Sequence, residues 1–463
     1  MTFRLQSDRP AGVPCAAQKR KKEKRTKPMK RTLLCVLAVL AACAMLVACK
    51  PSGTDEPASE APSASQETQA TPEPTLPPYE ANVLTGEAQD ENYPAGQRIT
   101  AIMVNNITVA RPQRGLSRAQ MLFEIKVEGG ITRFMPVFND YNDIEEIGPV
   151  RSGRDQFFQL ILPWQALYIH EGESVFMRQY AKEYEYGNLN NCDGANGYRD
   201  YNRVNWQGLS YGNGLALEHT MYTSGENIKK YIEDNDVDMN RDYNSTFFNF
   251  VDYRTNEVRD LSNSLDSAYS DKYGPVVQNG EYVAITHSQS YKTRFLYDAA
   301  STTYKMQQYY SNDGSWRDTI DEEYDQQLAF TNLVILYTDM AAYPGDSHDI
   351  QNVDYGNGGI GYYCYGGKIE KIYWQKGTPL EALRLYYLTE DGQCSDQQLD
   401  VNIGKSYVTV VDIEEAEKLE TGTLADYDLA ASDAATSEAV VNEDDVEAGE
   451  GEELGQTLDE ING

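Results

Sequence analysis

The apolar run from Leu33 to Ala48, stopped by Cys49, decides where the rest of this chain must fold. Its 16 residues follow a basic start at Lys30 and Arg31. As a helix it would reach about 24 Å at ~1.5 Å per residue, short of the ~30 Å hydrocarbon core of a bilayer. A permanent membrane span is therefore the weaker reading. The tetrad Leu46-Val47-Ala48-Cys49 has the form of a lipobox. Small residues give a signal peptidase access to the bond before Cys49, whose thiol then accepts diacylglycerol. Residues 1–48 are expected to be a signal peptide, with Met29 as its functional start. A long basic cytoplasmic extension is the other reading of residues 1–28. The expected result is a chain tethered through lipid on Cys49 to the outer face of the cytoplasmic membrane.

Charge follows the same division. Residues 1–48 hold 11 Lys/Arg and two acids, Asp8 and Glu23, a net of +9; subtracted from −32, this leaves −41 from Cys49 onward. Such a surface repels phosphate backbones, which argues against nucleic-acid binding. Of the 7 cysteines, Cys15, Cys35, Cys43 and Cys49 lie in or beside the export segment, leaving Cys192, Cys364 and Cys394. A Cys364–Cys394 disulfide in an oxidising compartment and three free thiols are both open.

Composition divides the exported part. Residues 50–78, rich in Pro, Ser, Thr, Ala and Glu, read as a disordered stalk. Residues 419–463, with 14 acids and no Lys or Arg, read as a disordered acidic tail. Between them, residues 79–270 alternate strand and helix signals. Ile99–Asn105, Ile131–Phe138 and Ala166–His170 are expected strands, and the apolar spacing of Leu116–Val127 predicts a helix. Ser152 and Asp155 are placed as a capping box for a helix carrying Phe157, Phe158 and Leu160, and Thr223 and Glu226 for a second through Tyr231. The expectation is an α/β (or α+β) N-terminal domain. Residues 279–412 instead show strand runs at Tyr282–Thr286, Thr293–Tyr297, Leu333–Tyr337, Ile369–Trp374, Leu383–Leu388 and Tyr407–Val411, with turn signals at Asp313-Gly314 and Asp391-Gly392. They predict a mostly β C-terminal domain.

Several strings then fall in one order: Leu84-Thr85-Gly86, VNN at 104–106, RPQRGLSRAQ at 111–120, VEGGITRF at 127–134 and IGPVRSGR at 147–154. His170-Glu171-Gly172, Tyr198-Arg199-Asp200, His219-Thr220-Met221-Tyr222-Thr223, Asn332-Leu333-Val334 and Tyr373-Trp374 come after them. In these residues the chain resembles the YerB-like lipoproteins of Gram-positive bacteria, over roughly residues 84–412. The resemblance implies an envelope lipoprotein with an N-terminal and a C-terminal conserved domain, and implies no activity. The segment 184–215 looks longer than the family pattern. Thr220 stands where relatives tend to carry Asn after His.

Chemistry is best sought in residues 107–154, where seven basic residues (Arg111, Arg114, Arg118, Lys126, Arg133, Arg151, Arg154) stand against six acids. Arginine forks at strand ends and a helix start suit a carboxylate or phosphate. Arg111, Arg133, Arg151 and Arg154 are the candidate ligands for a cell-wall polymer or an envelope protein partner; pairing with Glu124 or Glu128 is the internal alternative. The function expected is membrane-tethered binding or scaffolding. A cell-wall-modifying hydrolase or transferase is the alternative, using His170 or His219 with Glu124, Glu128 or Glu218. His287 and His348 complete the histidines. No cofactor is expected. Asp234, Asp236, Asp238, Asn240 and Asp242 alternate like a calcium loop, but Met239 and Ser245 occupy positions that such a loop gives to Gly and Glu. Tyr184, Tyr186, Asn188, Asn190, Tyr198, Tyr201, Trp206 and Tyr211 suit sugar or peptide recognition, or a self-packed loop, equally well.

Overall fold

The computed structural model describes residues 79–186, 189–190, 197–240, 248–255, 257–261, 271–272 and 274–427. Cys49, the signal peptide, the stalk, Cys192, Asp242 and residues 428–463 lie outside the described residues.

The N-terminal region supplies strands β1 (Thr100–Ile102), β2 (Val104–Asn105), β3 (Met121–Lys126), β4 (Thr132–Phe138) and β5 (Leu167–His170). Its helices are α1 (Asp155–Ile161), α2 (Val175–Glu183) and α3 (Gly225–Asp234). The C-terminal region is mostly strand. β6 (Tyr282–Thr286), β7 (Lys292–Asp298), β8 (Thr303–Tyr310) and β9 (Ser315–Asp318) come first. β10 (Asn332–Thr338), β11 (Gly359–Tyr365), β12 (Lys368–Gln375), β13 (Arg384–Leu388) and β14 (Cys394–Gln398) come next. β15 (Ser406–Asp412) and β16 (Glu420–Gly422) end the folded part.

Among the described residues, 13 strands form one mixed sheet whose path runs β14-β13-β12-β11-β10-β15-β3-β4-β1-β5. β15 lies parallel to β10 on one side and to β3 on the other. The boundary between residues 79–270 and 279–412 is thus one of composition and secondary structure, and the sheet runs across it. β1 is parallel to β5 and antiparallel to β4, which is antiparallel to β3, so β1, β3, β5, β10 and β15 all point one way.

The expected helix over Leu116–Val127 is instead a short 3-10 turn followed by β3. Phe123 and Ile125 enter a core with Phe157 and Phe158 of α1, while Leu122 enters a second core with Val283 and Phe295. A strand buried on both faces is apolar throughout, and such a run does not separate the helical period from the strand period. Ser152 does not cap α1. The helix starts at Asp155, with Arg154 as N-cap and no side-chain cap bond. Ser224, one residue later than expected, caps α3 by accepting from Asn227 N.

The second core is closed by a six-stranded antiparallel sheet, β9-β8-β7-β6-β16 with Ala329–Phe330 beside β8. In β8 burial alternates, Tyr304 and Met306 inward, Lys305, Gln307 and Tyr309 outward. Residues 419–427, expected in the tail, are folded: Glu420–Gly422 pairs with Tyr282–Ala284, and Tyr427 lies against Tyr282 at 5.8 Å. Cys364 and Cys394 are free thiols, Cys364 fully buried in β11. Among the described residues no helix is long and apolar enough to cross a membrane.

Candidate functional site

Because β1, β3, β5, β10 and β15 share a direction, their carboxyl ends gather on one edge of the sheet, where α/β folds tend to place their sites. Arg133 opens β4 beside Asn105, the last residue of β2. Its Nη2 lies 3.3 Å from Glu128 Oε1, and its Nη1 donates to the Ser152 carbonyl. Arg154 donates Nε to Glu128 Oε2 at 2.9 Å, Nη2 to Oε1, and Nη1 to the Gly153 carbonyl at 3.0 Å. Burial would raise the Glu128 carboxyl, but the two guanidinium groups outweigh it and hold it down at about 2. Two of the candidate anion ligands therefore share one carboxylate, the internal alternative already visible in the sequence.

The other basic residues separate. Arg151 stays on this edge, half-buried, its carbonyl accepting from Glu171 N at 3.1 Å. Lys126 pairs with Asp412 at 2.8 Å across the ends of β3 and β15. Arg111 leaves the group: it is buried and donates to the Asn106 carbonyl at 3.2 and 3.1 Å and to the Tyr309 carbonyl at 2.9 Å. This corrects its placement as a ligand group, since all three bonds fasten backbone. Arg114 reaches Glu322 at 2.7 Å, Asp200 at 3.1 Å, and Glu146, while Arg118 lies over the Tyr324 ring at 5.3 Å.

His170 and His219 both reach the edge. His170 is buried, with Nδ1 2.7 Å from the Gly172 carbonyl and its ring against Tyr168 at 4.8 Å. Gly153 makes room for it: a Cβ there would stand 3.1 Å from the imidazole. His219 Nδ1 lies 2.9 Å from Asn105 Nδ2. An amide nitrogen only donates, so Nδ1 accepts and the ring proton is on Nε2, which faces Glu218 at 4.0 Å. Glu171 pairs with Arg199 at 3.4 Å, and Arg199 also donates to the Leu217 carbonyl at 3.0 Å.

Beyond Arg199 the edge rises into an aromatic rim. Tyr201 and Tyr211, 47% and 45% exposed, lie with ring centroids 4.6 Å apart, and Tyr198 and Leu217 are exposed beside them. Trp206 turns inward, Nε1 donating to the Thr108 carbonyl at 2.7 Å. The acids of the calcium-like alternation make ordinary local contacts, Asp234 with Lys230 and Asp238 with Asn240 N at 3.0 Å.

Residues 84–238 match the N-terminal domain, and residues 282–408 the C-terminal domain, of the family described as protein of unknown function (DUF3048). The chain belongs to this YerB-like family. It is 26% identical over 296 residues to “Putative lipoprotein YerB” of Bacillus subtilis (strain 168), covering 63% of this chain and 77% of that one. The crystal structure of YerB from Bacillus subtilis, 22% identical, superposes with a TM-score of 0.55 over 74% of this chain and 99% of that chain, so the fold is shared.

Within the YerB-like frame, Glu124 is one of the residues on which the two DUF3048 domains meet. It lies on the face of β3 that carries Leu122, opposite the face of Phe123 and Ile125. Oε1 accepts from Asn106 Nδ2 at 3.1 Å and Thr132 Oγ1 at 2.7 Å, both N-terminal. Oε2 accepts from Thr293 Oγ1 at 2.8 Å and Tyr407 Oη at 2.7 Å, both C-terminal, with His287 Nε2 at 3.6 Å. Asn106 extends the network by accepting from Gln113 at 3.0 Å and Gln308 at 2.7 Å. Burial would raise the Glu124 carboxyl, yet the His287 ring and the Tyr407 and Thr132 hydroxyls hold it at about 2.

Asp155 is the residue that sequence reasoning placed only as a helix cap. It is buried, its Oδ2 accepts from Tyr343 Oη at 2.6 Å, and Oδ1 has no hydrogen-bond partner among the described residues. Burial pushes this carboxyl up to about 6. The Arg199–Glu171 pair was also missed, because nothing in the string Tyr198-Arg199-Asp200 shows that it folds against the end of β5.

Proposed function

We propose that this YerB-like protein is held at the cell envelope by lipid on Cys49 and works there as a binding or scaffold protein for an anionic wall component. The observation that supports this reading is an exposed Tyr201–Tyr211 ring pair whose Tyr201 follows, two residues on, the Arg199 that pairs with Glu171 at the end of β5. Aromatic faces stack on sugar rings, and an arginine fork in a partly exposed pair can exchange one carboxylate for another. A sugar carrying a carboxylate, such as a muropeptide, fits both elements. Arg133 and Arg154 then brace the edge through Glu128, and Arg199 is the group offered to the ligand.

Retention of the full chain on isolated cell wall tests this. The Tyr201→Ala/Tyr211→Ala and Arg199→Ala variants are expected to lose about tenfold in affinity, ~1.4 kcal/mol, with unchanged urea unfolding. Retention equal to that of the parent would overturn the reading. The enzymatic alternative rests on His219, oriented by Asn105 and facing Glu218. Mass spectrometry of the same wall decides it: new muropeptide species lost in His219→Ala would replace binding by catalysis.

A further inference from the structure

β11 is antiparallel to both β10 and β12, so β10 and β12 share a direction. Their carboxyl ends open on the same edge of the sheet as those of β3 and β15. There an open cleft of about 410 Å³ lies between α1 and the hairpin Met340–Ala342/Gln351–Val353. Its lining includes Asp339, the residue after β10, and Gly377, two residues past the end of β12. Asn352, Asp354 and Gly356 line it from the second strand of the hairpin onward, and Gln159 lines it from α1.

Two features of this lining ask for a guest. Gln159 is only 5% exposed, and its amide forms no hydrogen bond among the described residues. A buried amide without a partner is costly, so its hydrogen bonds are owed to whatever fills the cleft. The second feature is a pair of acids. Asp354 N donates to the Asp339 carbonyl at 3.1 Å, one step beyond Met340↔Val353, so the two residues stand opposite each other. Like charges so opposed destabilise a strand pair. The Asp354 carboxylate accepts from Gly356 N at 2.8 Å and Asn357 Nδ2 at 2.7 Å. That of Asp339 accepts nothing, and neither acid forms an ion pair, among the described residues. No basic residue lines the cleft. The cations of adjoining segments are engaged elsewhere: Lys376 donates to the carbonyls of Thr378, Pro379 and Glu381 at 3.0, 3.1 and 2.8 Å, and Lys126 pairs with Asp412.

We propose that this cleft binds the ammonium group of an organic amine. An ammonium has three N–H donors and no acceptor, which suits the carboxylates of Asp339 and Asp354 and the amide oxygen of Gln159. Its charge also relieves the repulsion between the two opposed acids. The volume suits an amine with a body rather than a bare ion: small-molecule sites span ~300–1,000 Å³, whereas one water takes ~30 Å³. Asn352, exposed and without a side-chain hydrogen bond among the described residues, is left for an amide or hydroxyl on that body. The site uses no residue of the Tyr201–Tyr211 rim and stands independently of that reading.

Saturation-transfer NMR on the full chain in detergent tests the proposal, with Nα-acetyl-L-lysine methylamide as probe and its uncharged norleucine analogue as control. Transfer to the lysine probe alone is expected. Its dissociation constant should rise about tenfold in Asp339→Asn and in Gln159→Met, which remove a charge and an acceptor. Asp339 is exposed and its carboxylate holds no hydrogen bond among the described residues, so that variant keeps the fold, and the comparison of probes needs no variant. No transfer to the lysine probe, or equal transfer to both probes, would overturn the proposal. Displacement of the lysine probe by equimolar calcium chloride would also overturn it, making the cleft a metal site.

Discussion

Burial alone drives a carboxyl toward its neutral form, and Asp155 obeys that rule while Glu124 escapes it. Asp155 has Tyr343 as donor and an Oδ1 without a hydrogen bond among the described residues, so burial sets its value at about 6. Its folded value lies above the unfolded one of ~3.9, so folding disfavours the ionised form by roughly 3 kcal/mol. That penalty is absent below pH ~4, grows as pH rises, and is complete above about 6. Asp155→Asn, which still accepts from Tyr343, is therefore expected to exceed the parent by up to ~3 kcal/mol at pH 8 and by nothing near pH 4. Urea unfolding at both pH values reads this directly. Glu124 is the reverse case: its stabilisation is present above the unfolded value and is lost as pH falls toward about 2. Glu124→Gln keeps the shape but turns an amide NH2 toward hydroxyls that now donate to a carboxylate. A loss of ~3–5 kcal/mol in urea unfolding is expected, and one below ~1 kcal/mol would make the network dispensable.

At the scale of elements, strand bounds were legible both where one face meets water, as in β6 and β7, and where the strand is buried throughout, as in β10 and β15. β6 falls on the predicted Tyr282–Thr286, and β7, β10, β12, β13 and β15 fall within a residue of their predicted bounds. β3 was misread because the apolar residues of Leu116–Val127 also fit a helical spacing, and nothing local marks the difference between Leu122 and Phe123. Helix starts were read to within a few residues, since a capping signal requires a side chain to find a particular N–H. Ser224 does so, accepting from Asn227 N at 3.2 Å; Ser152 does not. Ser224→Ala should thus cost about 1 kcal/mol, and Ser152→Ala less than ~0.5 kcal/mol, in the same denaturation assay. The candidate site was legible as a set of residue types and not as a place. His170, Arg133 and Arg151 do share an edge, but Arg111 and Glu124 belong to the interior, and Arg199 gave no sign of joining them.

For the whole molecule, composition divides what hydrogen bonding unites. Residues 79–270 and 279–412 differ in element content, yet β15 pairs with β3 from Ser406↔Met121 to Val410↔Ile125. Pairing over such separations depends on two distant surfaces and leaves no trace in either segment. A fragment of residues 79–270 loses β15, Thr293, Tyr407 and His287 together, leaving Glu124 buried with half its donors gone. It is expected to show no cooperative unfolding by circular dichroism, and co-expression with residues 271–427 should restore the transition. A sigmoidal melt of the fragment alone would show instead that β15 is accessory.

The position of β15 also sets a timetable. The Thr409 hydroxyl closes on the Glu124 carbonyl across 285 residues of chain. Whether the polypeptide emerges from a ribosome or threads through a membrane pore, it emerges N-terminus first, so β3 and β4 appear long before their central neighbour. Until residues 406–412 arrive, the middle of the sheet is an unpaired strand edge, the kind of surface that recruits wrong partners. Contacts so distant in sequence also slow the final closure. The nascent protein is therefore a client for holding factors during that interval, and β15 acts less as an appendage than as the latch that ends its vulnerability.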